Sequence, residues 1–228
     1  MRLDRYLANN SSFSRKKVKA ALKNGNVLVD GEVATDPSRH ISTSNHIEFF
    51  GQPLTERGPG YFMLFKPDGV VCANRDKNFD TVFDLIDEEH PGLHVAGRLD
   101  IDTTGLVLIT GDGNWSHRIT SPKYQCVKIY RVSTAELVTE KMIQKLETGV
   151  YIGQEKKRTA PAQVEQITED EILLSITEGR YHQVKQMLAA VGNAVESLHR
   201  ERIGAIKLDE NLHPGDYRPL TEAEIRSV

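Results

Sequence analysis

Apolar and polar positions change their period several times along the chain. Leu3, Tyr6 and Leu7 recur at helical spacing, and Val18, Ala21 and Leu22 do so again behind Ser14, a fitting N-cap, with Asn24 and Gly25 as the stop. The period then shortens. Residues 27–33 read as two short strands about Asp30 and Gly31, and 46–50 as a third. Residues 52–60 are Pro- and Gly-punctuated and read as a linker. An apolar strand over 61–65 runs into the turn Lys66-Pro67-Asp68-Gly69 and a further strand over 70–73. Val107, Leu108 and Ile109 predict a buried strand. Gly111-Asp112-Gly113 reads as a tight turn, and 114–122 as a short helix ended by Ser121 and Pro122, with Trp115 in the core. Residues 127–132 alternate, which sets Lys128, Tyr130 and Val132 on one face. Strands near 150–153, 162–167 and 171–176, a helix over about 182–191 and strands over 194–208 follow. Thr221 and Glu224 have the spacing of a capping box.

Strands dominate and many are joined as hairpins. The expected fold is therefore α+β: a small N-terminal domain over 1–50, a linker over 51–60, and a larger domain over 61–228. Its sheet should be mostly antiparallel or mixed, with flanking helices, rather than doubly wound and parallel.

Composition narrows the function. The chain has 228 residues, of which 39% are hydrophobic and 27% charged, as in an ordinary soluble protein. No apolar run approaches the length that crosses a bilayer, and the N-terminus lacks the apolar block of a signal peptide, so a cytoplasmic protein without a membrane partner is expected. Cys72 and Cys126 stand far apart and suggest reduced thiols without a zinc site. The formal net charge of −3 argues against a nucleic-acid partner, but it hides an asymmetry. Residues 1–58 hold 9 Lys/Arg against 6 Asp/Glu, and 12–25 hold five basic residues and no acid. Arg15, Lys16, Lys17 and Lys19 fall largely off the apolar face of the second helix and form a one-signed surface suited to a polyanion.

The densest chemistry lies in Gly97-Arg98-Leu99-Asp100-Ile101-Asp102-Thr103-Thr104-Gly105-Leu106. It is a polar loop delivered to the edge of a buried strand, where an ionised acid can act as base or nucleophile. Asp, Thr and Gly are also ordinary turn residues, so the stretch alone would read as a solvated turn. Two further clusters change that. One is Lys128-Ile129-Tyr130-Arg131-Val132, and the other runs from Glu178-Gly179-Arg180-Tyr181-His182 through Gln183-Val184-Lys185 to Leu188. A tyrosine ring offers a platform for an unstacked base. Val184, Met187 and Leu188 form a helical apolar stripe beside Lys185. No Gly-x-Gly-x-x-Gly, phosphate-loop or paired metal-ligand spacing is present, so neither a cofactor nor a metal is expected.

In this order the three clusters resemble the signature of the RNA pseudouridine synthases, and the Lys66-Pro67 turn between strands resembles the opening of their catalytic domains. Arg2-Leu3-Asp4, Ser14-Arg15-Lys16 and residues 25–31 resemble an S4 RNA-binding module. The resemblance spans essentially the whole chain and is nearest to the small-subunit ribosomal RNA enzymes of the S4-bearing branch. It implies that Asp100 is catalytic, that Tyr130 stacks on the target base, and that Lys185 pairs with Asp100. Many relatives carry arginine at that third position, and a lysine positions the acid less rigidly. Arg98, Arg180 and His182 would line the RNA path, and Lys66 would touch phosphate or stand exposed in its turn. Asp102 would cap the loop or face solvent. The implied reaction is isomerisation of a flipped-out uridine, pointing to uridine 516 of 16S rRNA, by a monomer that needs no cofactor. The partner would be 16S rRNA or a small-subunit precursor particle. Whether Asp100 serves as nucleophile or as base stays open. So do three other readings: a large-subunit rRNA synthase, a catalytically silent assembly factor, and a glycosidase-like hydrolase using Asp100 and Asp102.

Overall fold

The computed structural model describes residues 1–228 except 12, 56, 57, 88, 89, 91 and 154–156. Glu56 and Arg57, in the expected linker, thus lie outside the described residues. The chain divides into two compact units, Met1–Gly60 with Glu88–Leu93, and Tyr61–Asp87 with His94–Val228.

In the first unit, helices α1 (Leu3–Asn9) and α2 (Arg15–Lys23) are followed by strands β1 (Val27–Val29), β2 (Glu32–Val33), β3 (Ile47–Phe49) and β4 (Gln52–Pro53). The strands form an antiparallel sheet in the order β2-β1-β3-β4. Ser14 caps α2 by accepting the Lys17 N–H at 3.4 Å. Asp30 and Gly31 both take positive φ, 55° and 83°, the twist that a two-residue hairpin turn requires. Leu3, Leu7, Val18, Leu22, Val27, Val29 and Ile47 close the core, which leaves the charged face of α2 in solvent.

The second unit is built from β5 (Tyr61–Lys66), β6 (His94–Ala96), β7 (Thr104–Thr110), α3 (Gly113–Thr120), β8 (Lys128–Thr134), α4 (Glu140–Thr148), β9 (Gln163–Gln166), β10 (Glu171–Ile176), α5 (Gln183–Ala190), β11 (Val195–Ile203), β12 (Ile206–Lys207), β13 (Tyr217–Pro219) and α6 (Glu222–Arg226). Its mixed sheet runs β13-β5-β7-β11-β8-β10-β9, with β6 beside β7 and β12 beside β11. Every described pairing in it is antiparallel except β7 with β11. The fold is α+β, as the sequence pattern predicts. Strand β7 is buried from Gly105 to Thr110, the signature of a strand covered on both faces. Gly105 has φ +102°, and a Cβ there would stand 2.4 Å from the Arg200 carbonyl oxygen. Only glycine lets β7 and β11 approach so closely.

The structure departs from the sequence reading at several places. Residues 70–73 form no strand. Val71 makes a single bridge to Thr81, with Val71 N–H on the Asp80 carbonyl at 2.9 Å and Val82 N–H on the Val71 carbonyl at 3.0 Å. Residues 150–153 form none either. Thr159 takes both backbone groups of Val150, at 3.0 and 2.8 Å, so no ladder extends from it. Helix α4 went unread although Thr139 caps it by accepting the Met142 N–H at 3.3 Å. Asp112 is a helix cap rather than part of a plain turn: its carboxylate accepts the N–H groups of Asn114 and Trp115 at 2.9 and 3.1 Å. The capping box at Thr221 and Glu224 forms with both of its bonds.

Candidate active site

The central loop reaches the surface just before β7, and its shape is held from beneath. Thr103 N–H closes a turn onto the Asp100 carbonyl at 3.1 Å. The Ile101 carbonyl accepts from Gly69 N–H at 3.0 Å and from Lys66 Nζ at 2.9 Å. Lys66 is fully buried and also donates to the Pro67 carbonyl at 2.8 Å, and burial lowers its pKa. It is therefore neither a phosphate contact nor an exposed turn residue. On the other side Arg200, 2% exposed, donates to the carbonyls of Leu106 at 2.8 Å, Gly97 at 2.7 Å and Arg98 at 3.4 Å. A buried cation needs acceptors and a buried loop carbonyl needs donors, so each satisfies the other.

Above these anchors, Arg98, Leu99, Asp100, Thr103, Tyr130, Ile176, Gly179, Arg180, Leu198 and the residues from His182 to Lys185 line one cleft of about 100 Å³. Strand β8 supplies Tyr130, which lies on the buried face with Lys128 and Val132, and its hydroxyl accepts from Arg200 Nη1 at 3.3 Å. The start of α5 supplies two nitrogen-bearing side chains. His182 Nε2 lies 3.4 Å from one oxygen of Asp100, and Lys185 Nζ lies 3.6 Å from the other. The closer partner of Lys185 is Asp102, at 2.5 Å, and this contact lowers the Asp102 pKa. Asp102 is mostly exposed, yet it competes for the lysine that the sequence assigns to Asp100.

The expected site residues thus fall into two groups. Arg98, Asp100, Tyr130, Arg180, His182 and Lys185 share the cleft. Arg15, Lys16, Lys17 and Lys19 stand exposed on α2 of the first unit and are not part of it. Arg180 is held inside the protein, on Glu178 at 3.1 Å and on the Lys157 and Arg158 carbonyls at 3.1 and 2.7 Å. Sequence reasoning missed the anchoring role of Arg200. Its one signal is phase, because it alternates with the buried Leu198 along β11. A separate cavity of about 360 Å³ in the first unit, between Tyr6, Ile41 and Leu54, has no acid in its lining among the described residues.

An acid aimed between two nitrogen-bearing side chains, beside a tyrosine wall, is suited to acid–base or covalent chemistry on a flat ring. The family RNA pseudouridylate synthase matches residues 60–190, which contain Asp100, Tyr130, His182 and Lys185, and the S4 domain matches residues 1–47. This chain is a member of the RNA pseudouridine synthase family. Ribosomal small subunit pseudouridine synthase A of Vibrio parahaemolyticus is 50% identical over 231 aligned positions, covering 100% of this chain and 99% of the relative. The protein of that name from Escherichia coli strain K12 is 49% identical with 100% of both chains covered. A solved structure described as a pseudouridylate synthase superposes with a TM-score of 0.72 at 44% identity, covering 100% of this chain and 99% of that one. As a pseudouridine synthase the chain is an RNA isomerase with an S4 domain. The matched catalytic span stops before Arg200, so one anchor of this synthase's central loop lies beyond it.

Proposed function

We propose that this synthase converts one uridine of 16S rRNA, position 516, to pseudouridine, acting as a monomer on the free RNA or on a small-subunit precursor particle. A cytoplasmic location follows from that substrate. The N1–C1′ bond breaks, the uracil turns in the cleft, and C5 bonds to C1′ while a proton leaves C5 and N1 gains one. No net atoms are exchanged. Asp100 is the reacting carboxylate. His182 Nε2 and Lys185 Nζ flank its two oxygens at 3.4 and 3.6 Å. Tyr130 gives the flipped base a face to stack on.

The observation that carries this reading is the double anchoring of the loop by Lys66 and Arg200, which sets Asp100 in a cleft with Tyr130, His182 and Lys185. The full-length likeness to small-subunit enzymes supports the substrate.

The test uses 16S and 23S transcripts labelled with tritium at uridine C5. The wild type should release label from 16S RNA, with pseudouridine mapped to position 516. Asp100→Asn should lower release by about a thousandfold or more while RNA affinity stays within about twofold. Near-normal turnover by that variant removes Asp100 from the chemistry, and release from 23S alone moves the substrate to the large subunit.

A further inference from the structure

The synthase carries, next in the chain to the cleft-lining His182, an exposed aromatic ring to which neither the sequence reading nor the reaction gives a task. Tyr181 is 78% exposed, and its hydroxyl has no hydrogen-bond partner among the described residues. The ring is nevertheless fixed. It stacks on His182 with centroids 3.8 Å apart and planes 18° from parallel, while Gln186 Nε2 holds the Tyr181 carbonyl at 2.7 Å. His182 takes φ +46°, a left-handed conformation that is uncommon for a non-glycine residue. It stands at the N-cap of α5 without making a side-chain cap bond. Such conformations persist where the surroundings impose them, and they cluster at functional sites. Here the strained backbone sets one ring beside Asp100, at 3.4 Å, and the next ring outward into solvent.

We propose that Tyr181 and His182 form a two-ring stack whose outer face receives the nucleobase adjacent to the target uridine. The inference rests on the function proposed above. Extruding a uridine strips a neighbouring base of one stacking partner, and a preset ring stacked on the cleft-lining His182 replaces that face. The spacing within the pair is that of stacked aromatic rings. Arg98 and Lys185, which line the same cleft, favour a polyanionic chain as occupant. Stacking on a ring face needs no particular base, so this contact gives affinity and register rather than sequence choice.

A coupling experiment tests it. Filter binding and turnover are measured for wild type, Tyr181→Ala and Tyr181→Phe on 16S transcripts, intact or with an abasic nucleotide on either side of the target uridine. Tyr181→Ala should raise Kd and KM by about tenfold on intact RNA, with a smaller fall in kcat, while Tyr181→Phe stays near wild type. An abasic nucleotide on one side should weaken the wild type similarly and abolish the difference between wild type and Tyr181→Ala. Turnover of 16S RNA with additive effects at both flanking positions overturns the stack alone. So does a Tyr181→Phe variant as weak as Tyr181→Ala. A wild type that isomerises no uridine in the transcript removes the functional reading and this inference with it.

Discussion

Asp100 and Asp102 lie two residues apart and draw on one lysine, which sits nearer Asp102. Lys185 is thus shared, and its ammonium, a point charge on a flexible stem, can shift between them. Asp102→Asn releases the lysine toward Asp100. We expect that variant to keep most of its turnover, while Lys185→Ala loses about tenfold or more in kcat with little change in RNA affinity, as steady-state kinetics and filter binding will show. A Lys185→Ala variant that loses affinity and keeps kcat makes this residue a phosphate contact. The gathering of Asp100, Tyr130 and Lys185 in one cleft was legible because their motifs print acid, tyrosine and lysine in order. Lys66 and Arg200 were not. A buried cation that serves backbone carbonyls leaves no local pattern, since its acceptors come from residues 67, 97, 98, 101 and 106 and meet it only in the folded chain.

Among the elements, two capped helices and one strictly alternating strand were readable, by Ser14 before α2, the capping box of α6 and Lys128 to Val132 in β8, whereas α4 went unread behind its cap at Thr139. The two misread strands have one cause. Residues 70–73 and 150–153 are apolar enough for strands and do contribute buried side chains such as Val70 and Ile152, but their backbone groups find partners outside any ladder. Burial follows composition, whereas strand pairing depends on neighbours that one segment cannot reveal. The parallel contact of β7 with β11 is of this kind, and Gly105 is where it becomes testable. A methyl group there meets the Arg200 backbone, which cannot retreat without breaking the anchor on Gly97 and Leu106. Gly105→Ala should therefore cost several kcal/mol in urea unfolding and reduce turnover of the remaining folded protein. A stability within about 0.5 kcal/mol of wild type would mean that the two strands separate at little cost.

Over the whole molecule the charge is divided: the N-terminal 58 residues are net basic although the chain carries −3 overall. An acidic protein that must hold a polyanion does so locally, and the four cations Arg15, Lys16, Lys17 and Lys19 are exposed on α2 with no acid between them. Each phosphate contact releases condensed counterions, so affinity for RNA falls with salt in proportion to the number of such contacts. Replacing all four by glutamine should weaken binding of 16S RNA at low salt and make the slope of log K against log salt shallower by about 3, at about 0.7–0.9 per contact. Cleft residues act differently: Asp100→Asn leaves the phosphate contacts in place and should keep the wild-type slope. An unchanged slope after the α2 substitutions would mean that this face meets water rather than RNA, and the attraction would then have to come from cations of the catalytic unit, whose net charge is negative.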